Sequence, residues 1–472
     1  LGDELTGVRE YMEAYPYTCL EQRASQAVAL RDAERWKALM NALPSYLDRD
    51  GLVKYFPMMY EGSDTLTSYL LIIADEAGWE IPQATRDRMA KGLTGFVQGR
   101  VIRHSALPTA DLTLRKLSAL NGLARVHGGI EPALIGSITL EPNLWPTSGL
   151  LDWLDILKRS DKLAERDQRR TEAEQILRSR LNFQGTTMGF STERSDVLWW
   201  LMCSVDANAN RAVLALLDSP EWREDIPRLV RGALGRQLRG RWNTTVANAW
   251  GVLAMEKFSN TFEAVPVDGV SRAELARTKL ELKWNDQPKG GTLGFNWPIG
   301  QATLDVSHAG SGKPWLTVQS LAAIPLKQPF STGYKVRRTV VPVEQKEKGN
   351  WSRGDVYRVR LDIEAQSDMT WVVVHDPIPS GASILGTGLG RDSQILTSGE
   401  KRQGWVWPAF EERTFDSFRA YYEFVPRGNW TVEYTVRLNN GGAFRLPETR
   451  VEALYAPEMF GEIPNGTLEV KP

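Results

Sequence analysis

Tyr15-Pro16-Tyr17-Thr18-Cys19-Leu20-Glu21-Gln22 is the stretch on which the reading of the whole chain turns. Cys19 and Gln22 stand three residues apart. On a helix entered here, positions i and i+3 share a face, so a thiol and a side-chain carboxamide can touch. A cysteine sulfur that adds to the glutamine acyl carbon and expels ammonia leaves an internal thioester. That is a stored acyl group with a good leaving group, because a free thiol ionises near pKa ~8.5. Cys-x-x-Gln alone is short enough to arise by chance, and a buried cysteine is more often an inert small hydrophobe. The surrounding sequence must therefore decide.

The totals narrow the field. At 472 residues the chain is long enough for two to four domains. It is 42% hydrophobic and 24% charged, ordinary for a globular protein. A net charge of −1 gives no basic surplus for nucleic acid and no acidic surplus for binding cations. No apolar run approaches the ~20 residues that cross a bilayer. The start at Leu1, with no signal-like segment, leads us to expect a fragment or a mature form. Two cysteines, Cys19 and Cys203, exclude a disulfide scaffold and a four-cysteine zinc site. A single disulfide between them would consume Cys19 and exclude the thioester. Cys203 lies in Leu198-Trp199-Trp200-Leu201-Met202-Cys203, read as a buried helix with a core thiol. No metal site or cofactor is expected.

Residues 1 to about 265 carry helical patterns separated by turn signals. Helix starts recur at Asp64, at Asp111 (47 residues on), at Asp196 (85 further) and at Thr244 (48 further). A helical period in the forties means stacked helix pairs, and Asp, Ser and Thr suit N-caps. Turns are expected at Asp50-Gly51 and around Gly185–Phe190. Five or six pairs close either as an open superhelix or as an α/α toroid. The mixed charges from Lys158 to Arg180 read as a solvated outer face.

Near residue 265 the pattern changes. Ala264-Val265-Pro266-Val267-Asp268-Gly269 is linker-like. Strands are expected at Thr278–Trp284 and around Trp315–Gln319. From about 330 the signals are those of a sandwich. Tyr357, Val359, Leu361 and Ile363 point one way, Trp430–Arg437 alternates as cleanly, and Thr370–Val374 reads as a buried strand.

Tyr-Pro-Tyr-x-Cys-Leu-Glu-Gln resembles the thioester site of the bacterial α2-macroglobulins, relatives of complement C3 and of the animal protease-trapping macroglobulins. Thr18 stands where that family would have glycine. The resemblance continues through Gly62–Leu71 and Ala77-Gly78-Trp79-Glu80-Ile81-Pro82, and returns at Gly333–Arg338, Val374–Gly381 and Val451–Glu458. It implies a multidomain α + β chain, an α/α toroid followed by β-sandwich domains: a thioester domain over 1–265, the second half of a CUB-type domain over 266–328, with an exposed sheet edge, and a C-terminal macroglobulin-like domain over 329–472.

The same resemblance assigns roles. Tyr15 and Tyr17 shield the thioester from within its own domain. Leu454 and Tyr455, where the family has Met-Tyr on the last strand and loop, form a lock from the C-terminal domain. Met58, Met59 and Tyr60 are candidates for the wall, and His104 for an acyl relay to hydroxyls. The implied function is a non-enzymatic trap that acylates lysine amines of attacking proteases. The implied setting is the periplasm, with further macroglobulin domains and the bait region upstream, and a lipid anchor at the N-terminus of the full-length chain. Two other classes compete: a toroid-type polysaccharide lyase or glycosidase, for which Asp152 and Asp155 would be offered, and an interaction scaffold with an inactive site. Fold alone does not separate them; Cys19 and Gln22 do.

Overall fold

The computed structural model describes residues 5–105, 111–191, 197–263, 265–288, 290–320, 322, 324–386, 397, 399–400 and 404–472. Its first half is helical: α1 (Thr6–Ala14), α2 (Leu20–Ala29), α3 (Ala33–Ala42), α4 (Asp64–Ala77), α5 (Gln83–Val97), α6 (Asp111–His127), α7 (Pro132–Ile135), α8 (Thr147–Arg159), α9 (Arg166–Ser179), α10 (Val205–Leu216), α11 (Ile226–Leu234) and α12 (Thr245–Phe262). The starts follow capping chemistry. Ser63, Ser204 and Thr244 each accept a hydrogen bond from the backbone N–H three residues on, all at 3.1 Å, satisfying an otherwise orphaned donor of the first turn. Asp64 and Asp111 open α4 and α6, as their spacing leads one to expect.

The third expected start differs. Asp196, like Ala264 of the expected linker, lies outside the described residues. Leu198–Cys203 is not a buried helix. It is a 3-10 turn (Trp199–Leu201) closed by a bridge between Leu198 and Cys203. Met202 ends it with φ 57°, and α10 begins only after Ser204. Cys203 is half-buried rather than a core thiol, and neither cysteine is bonded to the other. Trp199 supplies the physical reason, because it packs against both the helices and the sandwich. The apolar run serves as a bridge rather than as a helix face.

The helices close into a ring. α2, α4, α6, α8, α10 and α12 each pack on the next, and α12 returns to α2. These inner helices are buried nearly all round, while α3 and α9 bury one stripe and lie outside. The run from Lys158 to Arg180 supplies that outer face, except for Glu174, whose buried carboxylate accepts from Trp222 Nε1 at 3.1 Å. Gly185 is the turn of a hairpin, β1 (Leu181–Gln184) and β2 (Thr187–Phe190). Among the described residues no helix is long and apolar enough to cross a membrane.

β3 (Val270–Leu275), β4 (Thr278–Lys283) and β5 (Leu304–Ala309) form a three-stranded sheet in the order β4-β3-β5, mostly exposed. The strand expected around Trp315–Gln319 does not form. Leu316 and Val318 are about 60% exposed and find no ladder partner among the described residues. Trp315 packs on Phe258 of α12 instead.

The remaining strands are β6 (Phe330–Ser331), β7 (Tyr334–Glu344), β8 (Trp351–Ser352), β9 (Val356–Ala365), β10 (Met369–Pro377), β11 (Ser383–Ile384), β12 (Phe410–Arg413), β13 (Ser417–Val425), β14 (Gly428–Arg437), β15 (Gly442–Arg445), β16 (Thr449–Ala453), β17 (Ala456–Ile463) and β18 (Thr467–Lys471). They form sheets β12-β13-β10-β16-β17-β6 and β11-β14-β9-β7, with a small third sheet β15-β18-β8. Val451–Glu458, expected to hold the last strand, is followed by the rest of β17 and by β18. The side chains of Val359, Leu361 and Ile363 face those of Val372 and Val374 across the core. Successive strand residues point to opposite faces, and β10 uses both. Val372 and Val374 enter the sandwich core, whereas Trp371 and Val373 join the core of the helical ring. That strand positions the candidate site.

Candidate functional site

Cys19 is the N-cap of α2, with extended backbone (φ −62°, ψ 162°), and Gln22 is its third helical residue. The pair therefore meets as a capping box rather than as an i, i+3 pair inside a helix. The Cys19 sulfur accepts from the Gln22 backbone, and Gln22 Oε1 accepts from the Cys19 N–H at 3.2 Å. Most caps are Ser, Thr, Asp or Asn. A thiol in that place brings a nucleophile onto a carboxamide by ordinary helix-start geometry. Both residues are fully buried.

The rest of the local geometry suits acyl chemistry. The N–H of Cys19 holds the oxygen that gathers negative charge when sulfur adds to the acyl carbon, the role of an oxyanion donor. Gln22 Nε2, the nitrogen that would leave as ammonia, donates to the Tyr15 hydroxyl at 3.2 Å. Tyr15 packs edge-on against Tyr11 and Tyr17, with ring centroids 5.3 and 5.4 Å apart. Tyr17 is buried and carries the contact on to His375 and Tyr421 of the sandwich. The Leu20 N–H donates to the Tyr55 carbonyl at 3.0 Å, fixing the turn to a second loop.

The sandwich closes the site from the other side. Leu454 and Tyr455 form the turn between β16 and β17, and both are buried against the helical ring. Tyr455 donates its hydroxyl to Glu21 Oε2 at 2.9 Å. Leu454 N–H is held by the Trp371 carbonyl at 2.9 Å. Trp371 lies over Tyr55 at 3.9 Å, Phe56 stacks on Phe410 at 4.5 Å, and Phe56 meets Tyr421 at 4.9 Å. Thr18, where glycine was expected, donates its hydroxyl to Glu412 of β12. The result is a buried aromatic enclosure built by both halves of the chain.

Electrostatics favour the neutral thiol. Burial pushes the Cys19 thiol well up, the Glu21 carboxyl raises it further, and the backbone N–H groups of Gln22 and Glu21 oppose this only in part. The helix N-terminus thus fails to win against desolvation. A thiol with a raised pKa is in general a slower leaving group.

Residues 333–458 match the family described as Bacterial Alpha-2-macroglobulin MG10 domain. The chain also superposes, over 99% of its length, on 75% of the crystal structure of native Escherichia coli α2-macroglobulin running from domain MG7 to the C-terminus, with a TM-score of 0.70 and 18% identity. Residues 333–458 are thus similar to a bacterial α2-macroglobulin MG10 domain, and the chain carries the fold of the C-terminal region of that solved structure. Among curated relatives, the α2-macroglobulin homolog of Nostoc is 24% identical over 284 residues, 56% of this chain and 14% of that protein. The α2-macroglobulin of Escherichia coli is 23% identical over 487 aligned residues, 95% of this chain and 28% of that protein. The chain thus spans 14–28% of the length of the curated relatives it matches. The segments Gly333–Arg338, Val374–Gly381 and Val451–Glu458, on which the sandwich resemblance rested, all lie within the MG10 match.

Not every expected wall residue joins the site. Met58 and Tyr60 are 82% and 79% exposed, and only Met59 packs against the ring core. His104 is exposed on the loop after α5, while Cys19 and Gln22 are fully buried. The structure does not bring it to the pair. Missed by the sequence reading were Glu21, Tyr55, Phe56, Trp371 and Tyr421. Glu21 lay inside the quoted motif, but its partners Thr245 and Tyr455 lie 224 and 434 residues away. Trp371 lay inside a strand read simply as buried.

Asp152 and Asp155 are held in ion pairs. Asp152 takes Arg211 at 2.6 Å and Asn121 at 2.9 Å, and Asp155 takes Arg125 at 3.1 Å. The cavity beside Asp152, at the ring's centre, measures about 60 Å³, far below the ~300 Å³ at which ligand pockets begin. Among the described residues no group of three His, Cys, Asp or Glu side chains is arranged to hold a metal ion.

Proposed function

We propose that Cys19 and Gln22 form an internal thioester, and that this chain is the acylating part of an α2-macroglobulin-type protease trap. The observation that carries the proposal is the reciprocal capping box between a fully buried thiol and a fully buried carboxamide, roofed by Tyr455 from the MG10 domain. A lysine amine of an attacking protease adds to the Gln22 acyl carbon, Cys19 departs as a thiol, and an amide tethers the protease to the trap. The reaction runs once, so the protein is an inhibitor and not a turnover enzyme. Tyr15 and Tyr17 shield from within the ring, and Leu454 and Tyr455 act as the lock. Movement of the MG10 domain opens the enclosure to the amine. As parts of the same proposal we place the chain in the periplasm and in association with upstream macroglobulin domains.

The glycosidase or lyase reading is weakened by the 60 Å³ cavity and the ion-paired Asp152 and Asp155. An inert scaffold is the remaining competitor. Intact mass under denaturing conditions separates the two. A mass one ammonia below the sequence value, followed by uptake of one methylamine at Gln22 and release of one thiol at Cys19, is the expected result. A full sequence mass with no methylamine uptake would sink the proposal.

A further inference from the structure

We propose that Glu21 selects a cationic nucleophile: when Tyr455 withdraws, the Glu21 carboxylate receives the ammonium of an attacking lysine and delivers the free amine to the acyl carbon of Gln22. This deepens the thioester reading above and rests on it.

Glu21 is fully buried between the two reacting residues in sequence. Its Oε1 accepts from Ser25 at 2.6 Å and from Thr245 at 2.9 Å, and its Oε2 accepts from Tyr455 at 2.9 Å. All three partners are uncharged hydroxyls. A buried carboxylate supported in this way lacks the positive charge that burial calls for. Two of the donors belong to the ring, on α2 and α12, and stay when the MG10 domain moves. The third belongs to the MG10 domain and leaves with it. Departure of the lock thus removes the only donor on Oε2 among the described residues, and does so at the moment the nucleophile arrives.

The carboxylate is also near the chemistry. Glu21 stands in the first turn of α2, between the capping Cys19 and Gln22, and Tyr455 is bonded to it. The lock therefore sits on Glu21. A lysine ammonium donating to Oε2 replaces a neutral donor with a cation, adding ion pairing to a hydrogen bond that the carboxylate already accepts. Water and alcohols gain nothing comparable, so the site prefers amines.

The proton balance closes. The ammonium passes one proton to Glu21 and becomes a nucleophile. Its nitrogen bonds to the Gln22 acyl carbon, and the carbon–sulfur bond breaks. The departing sulfur takes a second proton from the nitrogen, the third stays on the amide, and Glu21 returns its proton to solvent.

The test compares wild type, Tyr455→Phe, Glu21→Gln and the double variant. Each is first weighed intact to verify loss of one ammonia. Release of the Cys19 thiol is then timed with methylamine, a cation at neutral pH, and with hydroxylamine, which is uncharged there. Phenylalanine keeps the covering ring and removes only the hydroxyl bonded to Oε2. We expect Tyr455→Phe to accelerate methylamine about tenfold or more, on the scale of one hydrogen bond to a charged group, with hydroxylamine changed much less. Adding Glu21→Gln should erase the methylamine gain. In Tyr455→Phe the methylamine rate should also rise less steeply with pH than the free-amine fraction, whereas the double variant should follow that fraction. Equal acceleration of both nucleophiles, or a methylamine gain that survives Glu21→Gln, overturns the proposal. Should Glu21→Gln fail to close its thioester, the comparison of the two nucleophiles on Tyr455→Phe decides alone. Absence of a thioester in wild type overturns the parent reading, and this one with it.

Discussion

Replacing Trp371 by alanine should open the site without unmaking the sandwich. Trp371 is 5% exposed, and its ring lies against Tyr55 at 3.9 Å and Phe56 at 6.2 Å, both from the helical ring. Its burial therefore lies between the two halves. Truncating a buried Trp costs about 3–5 kcal/mol. The backbone there has φ 51°, a strained conformation for a bulky residue that alanine inherits, so no strain is relieved to offset the loss. Since about 1.4 kcal/mol is a factor of ten, the undocked population should rise on the order of 10²–10³-fold. The assay is the rate of Cys19 thiol release in methylamine, with thermal unfolding measured alongside. Val372→Ala is the control: it destabilises the sandwich by roughly 2 kcal/mol but points to the opposite face of β10, and should leave the methylamine rate within a few-fold of wild type. If Trp371→Ala lowers Tm while the methylamine rate stays unchanged, or if Val372→Ala accelerates the reaction as much, the two-faced role of β10 is wrong.

Other expectations follow from single contacts. Asp376 is fully buried and accepts from Arg338 Nε at 3.0 Å, with Tyr434 and Thr449 also donating to it. Asp376→Asn leaves Arg338 without its counter-charge, and denaturant unfolding of the sandwich should show a loss of about 3–5 kcal/mol. Burial and neighbouring Arg419 hold His375 down at about 4, against opposing pulls from Asp376, Asp416 and Glu448. Because the unfolded chain binds that proton more readily, stability contributed here is present above the unfolded value near 6.5 and is lost as pH falls toward 4. His375→Gln should flatten the stability–pH curve between pH 6.5 and 4, measured as Tm. A Cβ on Gly251 of α12 would stand 2.1 Å from the Trp242 ring. Gly251→Ala should cost about 1–3 kcal/mol through overpacking, visible as a lower Tm with the helical circular dichroism retained.

What was legible in the sequence was local. Asp64, Asp111 and Thr244 announced helix starts because a cap such as Thr244 needs only a side-chain oxygen and an N–H within one turn, and an acidic residue suits the first turn that follows. The strands at 357–363 and 430–437 were legible because alternation records a single buried face. The pairing of Cys19 with Gln22 was legible because three residues span a capping box as readily as a helical face. What failed had lost its local signal: the run 198–203 is apolar because it bridges two halves, and Trp315 is apolar because it covers the end of α12 rather than pairing in a sheet.

Tertiary structure alone decided the rest. Whether six helix pairs form a ring or an open spiral depends on α12 reaching α2, a contact no local pattern encodes. β10 reads as uniformly buried, and only docking assigns Trp371 to one core and Val372 to the other. Glu21 is an ordinary acidic residue at a helix start until Tyr455, 434 residues on, is laid over it. Composition and short-range spacing put a thiol beside an acyl group. Keeping that pair dry takes side chains from both ends of the chain, because excluding water requires closure in three dimensions.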